Sequence, residues 1–245
     1  MVGYQNLTLG YNYNYAVNTF VTVGKTKAEM TLGDIGVNEN ITYFGTVIQL
    51  LLDNGATATV EVEGLGEVDA MFTYADESVG APEAGWYLSD DGGFEYPQNG
   101  RVIPLGQGYC VDCGDSEAAL VFAGAVSRED TEVELSYNYN YTGNCSPKDI
   151  TFGDLTGENL TYFGTVIQLL LDNGATATVE IEGLGEVDAM FTYADESVGA
   201  PEAGWYLSDD GGFEYPQNSR ILQAGQGLLV DCGDTDAKLI IPAAL

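Results

Sequence analysis

One stretch of this chain occurs twice. Glu39 to Asp115 returns as Glu158 to Asp234 with nine changes: Ile41/Leu160, Val62/Ile181, Gly100/Ser219, Val102/Ile221, Ile103/Leu222, Pro104/Gln223, Leu105/Ala224, Tyr109/Leu228 and Cys110/Leu229. Residues 63–99 are repeated without change. A duplicated block this long is a folding unit rather than a solenoid turn, so whatever one half folds into, the other should fold into as well. The 245 residues then divide into two domains, 1-126 and 127-245, each long enough for a core of its own. The join near Ser127 to Thr131 reads SREDT and is too short for a flexible tether, which predicts a restricted relation between the halves. The changes near Val102 to Cys110 mark surfaces expected to meet different neighbours in the two copies.

Local patterns along the chain are those of strands. Leu7, Leu9, Tyr11, Tyr13, Tyr15 and Val17 alternate with polar residues, and Val133, Leu135, Tyr137, Tyr139 and Tyr141 do the same. This period of two predicts one long, half-buried strand opening each half. Asp53-Asn54-Gly55 and Asp172-Asn173-Gly174 separate β-branched runs and predict hairpins, because both central turn positions need positive φ. Val68, Ala70, Phe72 and Tyr74 alternate as a further strand, and Trp86 to Leu88 form a short aromatic one that ends at Asp90-Asp91-Gly92-Gly93. Eight or nine short strands per copy and no amphipathic helix predict an all-β fold: two tandem, near-identical β-sandwich or jelly-roll-like domains.

Charge narrows the function classes. With 38 Asp and Glu against 7 Lys and Arg, the formal net charge is -31. Such a field repels phosphate backbones and anionic membranes, which argues against a nucleic-acid partner. No apolar run is long enough for membrane insertion. The absence of histidine removes Ser/His, Cys/His and His-metal constellations. Met1 leads straight into strand-like sequence, which leaves a cytosolic chain or a secreted one whose signal has been removed. Abundant Gly, Asn, Thr and Tyr with scarce Lys favour the second, an extracellular or cell-surface location.

Four residue groups are candidates for chemistry. Asp76, Glu77, Asp90 and Asp91, with Asp195, Glu196, Asp209 and Asp210 in the other copy, offer carboxylates on bent loops such as calcium takes, although their spacing fits neither an EF-hand nor an RTX repeat and acidic turns have the same composition. No cofactor is required by this reading; calcium is the candidate ion. Trp86 and Tyr87, with Trp205 and Tyr206, could stack on the rings of a glycan if exposed, or anchor a core if not. Paired carboxylates could serve a glycosidase, but with this many acids, pairs arise by chance, and no catalytic residue is assigned. Four cysteines allow three disulfide connectivities; Cys110 and Cys113 point to opposite faces of a strand, which disfavours their pairing, and Cys145 with Cys232 inside the second domain are the disulfide candidates, with the first two free or linked elsewhere.

The progression GWYLSDD, then PLGQGYCVDCGD or QAGQGLLVDCGD, with YTGNCSPKDITFGDL opening the second copy, resembles tandem repeats of secreted bacterial surface proteins of mostly uncharacterised function. Those repeats combine a GNxxPxxI-like opening, a GWxxDD segment and a GQGxxV strand. The resemblance implies an extracellular β-repeat protein and identifies no catalytic residues. The first half departs from it, with AVNTFVTVGKTKAEM where the opening motif should stand. The expectation is a non-enzymatic, self-assembling subunit of a filament or surface layer, partnered by further copies of itself. Terminal strands would make the contacts, through Leu7, Leu9, Tyr11, Tyr13 and Tyr15 at one end and Leu239, Ile240 and Ile241 at the other, because an uncovered edge accepts another chain. The alternative is an adhesive or carbohydrate-binding module, with calcium as a candidate requirement and glycans as partners.

Overall fold

The computed structural model describes residues 2–20, 29–37, 40–51, 57–89, 93–170, 175–208 and 212–243. Among the described residues the chain is all-β, with antiparallel pairing throughout and only short 3-10 turns besides, in a sandwich-like arrangement. In the first half the strands are β1 (Val2–Leu9), β2 (Tyr13–Val17), β3 (Glu29–Thr31), β4 (Ile35–Val37), β5 (Val47–Leu50), β6 (Thr59–Val62), β7 (Gly66–Asp69), β8 (Met71–Ala75), β9 (Gly85–Leu88), β10 (Val102–Pro104), β11 (Gly108–Asp112) and β12 (Ala118–Ala125). The second half continues with β13 (Thr131–Leu135), β14 (Tyr139–Gly143), β15 (Ile150–Thr151), β16 (Thr156–Glu158), β17 (Val166–Leu169), β18 (Thr178–Ile181), β19 (Gly185–Asp188), β20 (Met190–Ala194), β21 (Gly204–Leu207), β22 (Ile221–Leu222), β23 (Gly227–Asp231) and β24 (Ala237–Ile241). No helix among the described residues is long and apolar enough to cross a membrane.

Strand order is the same in both halves. A five-stranded sheet runs β2-β11-β5-β8-β9, and its counterpart β14-β23-β17-β20-β21. Three-stranded sheets run β1-β12-β4 and β13-β24-β16, and two-stranded pieces join β3 to β10, β6 to β7, β15 to β22 and β18 to β19. The three-stranded sheets bring the start and finish of each half together, with Val2 opposite Ala125 and Thr131 opposite Ile241. Alternation in β12, where Ala118, Leu120 and Phe122 point inward, buries one face against the five-stranded sheet's Ile48, Phe72, Trp86 and Val111. The same positions of the second half, among them Ile167, Phe191, Trp205 and Val230, form a second core.

The long opening strand predicted for each half is two strands in two sheets. Its break falls at Asn12 and Asn138, whose φ angles of 60° and 67° are left-handed, a conformation asparagine tolerates better than most residues. The second asparagine of each motif fastens the kink. Asn14 Oδ1 accepts from Gly10 N at 2.8 Å while Asn14 Nδ2 donates to Gly10 O at 3.0 Å. Asn140 repeats this with Ser136, at 2.8 Å in both directions. The asparagines read as the solvent side of a strand are therefore the residues that end it, and Tyr11 and Tyr137 at the kinks are 53% and 61% exposed.

The run from Val68 to Tyr74 is likewise divided, at the fully buried Ala70, into β7 and β8. Both predicted Asn-Gly turns lie outside the described residues, but the strands they join approach as a hairpin, with bridges Leu51 to Thr57 and Leu170 to Thr176. The connection after β12 is as short as SREDT suggested, since β13 begins at Thr131.

Candidate functional site

Of the residues expected to make assembly contacts, Leu7 and Leu9 lie in a strand that keeps an open edge among the described residues. β1 pairs with β12 over its whole length and stands at the end of its sheet, so its other side has no partner strand among the described residues. Its sequence, VGYQNLTL, has no charged residue. Leu9 is buried and Leu7 packs against the core, while Asn6 and Thr8 face solvent. The equivalent edge strand β13 carries Glu132 and Glu134, both bridged by Lys238 at 2.8 and 3.1 Å, and these carboxylates hold the Lys238 ammonium above its ordinary pKa. At the other end the expectation fails: Leu239, Ile240 and Ile241 lie in β24, the middle strand between β13 and β16, and both of its edges are already paired.

Tyr13 and Tyr15 lie in β2, which together with β11 meets β14 and β23 where the halves join. The contact is reciprocal. Gly108 sits under the Tyr141 backbone, and the equivalent Gly227 under the Tyr15 backbone. The rings of Tyr15 and Tyr141, equivalent residues of the two YNYNY motifs, stack at 5.9 Å with 27° between planes. Backbone joins them as well, through a bridge from Ala16 to Gln226, Val17 N to Gly225 O at 3.3 Å, and the Thr142 hydroxyl donating to Gly106 O at 2.9 Å. Val17 is part of the second half's core, and Leu105 packs against it. Two of the positions that differ between the copies, Leu105 and Cys110, lie at this junction. Beside it lies a polar cleft of about 380 Å³, lined among others by Leu105, Glu132, Glu134, Tyr141 and Thr142. Burial and the neighbouring Cys110 push the Tyr15 hydroxyl up to about 12, and burial raises Tyr141 too.

The aromatic platform predicted at Trp86, Tyr87, Trp205 and Tyr206 does not exist, because all four are at most 1% exposed. β9 and β21 are buried on both faces. Trp86 and Trp205 turn into the main cores, while Tyr87 and Tyr206 turn outward under small lids made by Tyr43 with Phe94 and Tyr162 with Phe213. Each outward tyrosine is tied down by its hydroxyl, donating to Glu83 O and Glu202 O at 2.8 Å. The exposed aromatics beside those lids are Phe44 and Phe163, 51% and 53% exposed and both at φ 59°. A phenylalanine in the left-handed region is an uncommon, costly conformation. Here it is held by Thr73 and Thr192, whose hydroxyls accept from the Phe44 and Phe163 amides at 2.8 and 2.7 Å. Nothing in the sequence flags them, since the strain appears only in the backbone.

The acidic loops are placed in part. Asp90, Asp91, Asp209 and Asp210 lie outside the described residues. Asp76 and Asp195 cap the short turns that Glu77 and Glu196 begin, accepting from Ser78 and Ser197 N at 2.9 Å and from their hydroxyls, and these bonds hold both carboxyls below the usual Asp range. No group of three or more metal-ligating side chains occurs among the described residues.

The Cys145–Cys232 disulfide does not form; all four cysteines are free and buried. β14 and β23 run antiparallel, with Cys232 N bonded to Asn138 O at one end and Asn144 N to Gln226 O at the other. At ~3.3 Å per residue the two sulfurs are separated by roughly 20 Å of ladder, whereas a disulfide needs Cα atoms within ~7 Å. The opposite-face reading of Cys110 and Cys113 agrees with their surroundings: Cys113 is in the first core, and Cys110 faces Tyr15 at the junction.

Comparison of the chain with protein-family models, with curated proteins and with solved structures finds no match.

Proposed function

We propose that this chain is a non-enzymatic, extracellular structural protein, similar to the repeats of secreted bacterial surface proteins. In this reading it consists of two tandem, near-identical β-sandwich or jelly-roll-like domains, 1-126 and 127-245, and is a self-assembling subunit of a filament or surface layer. The observation that carries the reading is β1, a long, uncharged strand at a sheet edge in a chain of net charge -31. Soluble proteins blunt such edges with charge, as β13 does with Glu132 and Glu134, and an edge left unblunted offers its backbone to a strand of another copy.

The test is Asn6→Glu with Thr8→Glu, which charges the solvent face of β1 without touching the buried Leu9. Electron microscopy at physiological salt should show ordered polymers of the parent chain and single particles of the variant, with unchanged circular dichroism. Loss of polymers on chelation would add calcium at the acidic loops. A parent chain that stays monomeric, or a variant that polymerises as before, would refute the reading.

The second reading, an adhesive or carbohydrate-binding module, is supported by Phe44 and Phe163. Strained, exposed aromatics at equivalent positions give two chances to stack on sugar rings, and two weak sites on one chain gain by avidity. Glycan binding lost in Phe44→Ala with Phe163→Ala would favour it over assembly.

A further inference from the structure

The junction between the halves has a chemical capacity that assembly through β1 leaves unused. Tyr15 and Tyr141 bring two phenol rings side by side from strands far apart in the chain, with centroids 5.9 Å apart and planes 27° from parallel. Each is flanked two residues away, on the same face of its strand, by a tyrosine near the surface: Tyr13, 42% exposed, and Tyr139, 43% exposed. Several other tyrosines among the described residues have different surroundings. Tyr109 is sealed in the core, Tyr74 and Tyr193 meet tryptophans edge-on, and Tyr87 and Tyr206 meet phenylalanines.

We propose that Tyr15 and Tyr141 form an oxidative cross-linking site at which the two halves are stapled by a dityrosine bond. The co-reactants are hydrogen peroxide and a haem peroxidase. Each ring loses one electron and its phenolic proton, the two radicals join through a new bond between ortho carbons, and the two ortho hydrogens move to the oxygens as aromaticity is restored. Two tyrosines and one peroxide thus give one dityrosine and two waters. Half-buried rings need no direct contact with the oxidant, because Tyr13 and Tyr139 can give up an electron at the surface and recover it from the pair. Cys110 is the built-in competitor. It lies across the strand pair from Tyr15, within reach of its hydroxyl, and a thiol hydrogen quenches a phenoxyl radical; the other half has Leu229 at that position.

Full-length protein treated with peroxidase and peroxide should give a monomeric product lighter by two hydrogens, with dityrosine fluorescence and a cross-linked peptide joining Tyr15 to Tyr141. Tyr15→Phe and Tyr141→Phe keep the ring stack and the fold but should each abolish that product. Tyr13→Phe should slow it, and Cys110→Leu should raise its yield. An intramolecular product that persists in Tyr15→Phe, or cross-links found only between molecules through Tyr11, Tyr13, Tyr137 or Tyr139, would overturn the proposal. Because the readout is a bond within one chain, it is independent of whether β1 drives assembly.

Discussion

Changing Gly108 to alanine adds one methyl where the halves come closest. That carbon would stand 2.5 Å from the Tyr141 carbonyl oxygen, 2.6 Å from its carbon and 3.0 Å from its Cβ, inside the separation that real Cβ atoms keep. The neighbour is mostly backbone, which cannot rotate aside, so a strand has to move. Such overpacking costs about 1–3 kcal/mol. In a chain of this size each kcal/mol lowers Tm by about 2–4 °C, so the expected drop is about 2–12 °C, read by circular dichroism during heating. Gly227→Ala makes the mirror-image contact, 2.7 Å from the Tyr15 carbonyl, and should behave alike. The two together should cost less than their sum, because one opening of the junction relieves both. Gly100→Ser is the control. It introduces the residue found at position 219, at a site with nothing within 4 Å, and should stay within about 0.5 kcal/mol. If Gly108→Ala melts like Gly100→Ser, the halves do not pack as described.

Tyr109→Phe removes a hydroxyl buried without a hydrogen-bond partner and should leave stability unchanged or raise it by about 1 kcal/mol in urea denaturation; a loss of that size would show that the hydroxyl is bonded. Acid should expose the caps. The depressed carboxyls of Asp76 and Asp195 stabilise the fold above the ordinary Asp value of about 3.9, and that contribution disappears as pH falls through their lower folded values. The urea midpoint of Asp76→Asn with Asp195→Asn should therefore trail the parent's at neutral pH and converge on it below about pH 4. Comparing the two proteins also cancels the relief of self-repulsion that acid brings to both; a constant gap would refute the sign. Burial pushes the Cys110 thiol up to about 12 and those of Cys113, Cys145 and Cys232 to about 11, so a thiol reagent at mild pH should label all four only after unfolding. Rapid labelling of the native chain would contradict this.

The sequence carried the features that repeat or alternate. The duplication foretold a strand order that recurs from one half to the other, and side-chain parity separated Cys110 from Cys113. What stayed hidden depends on distant parts of the chain. The YNYNY motif reads as uninterrupted alternation because tyrosines before and after the kink keep the same parity, and the turn rests on asparagine side chains bonding backbone four residues away. Trp86 and Tyr87 suit a platform or a core equally by residue type, and what decides between them is the lid of Tyr43 and Phe94 over the outer face. Cys145 and Cys232 both lie in the second half's core, and it is the register of β14 with β23 that separates them. The reciprocal contact of Gly108 and Gly227 has no sequence signature beyond glycine itself.

In both three-stranded sheets the start of a half's first strand lies beside the end of its last strand, Val2 by Ala125 and Thr131 by Ile241. Tension applied between such neighbours does not shear the ladder as a whole. It peels the ladder one residue pair at a time from the loaded end, so each half would open like a zipper under a modest pull along the chain. A fibre made of these units that bears load would have to carry it across faces and edges, sideways through many hydrogen bonds at once, with the polypeptide spared from acting as the rope.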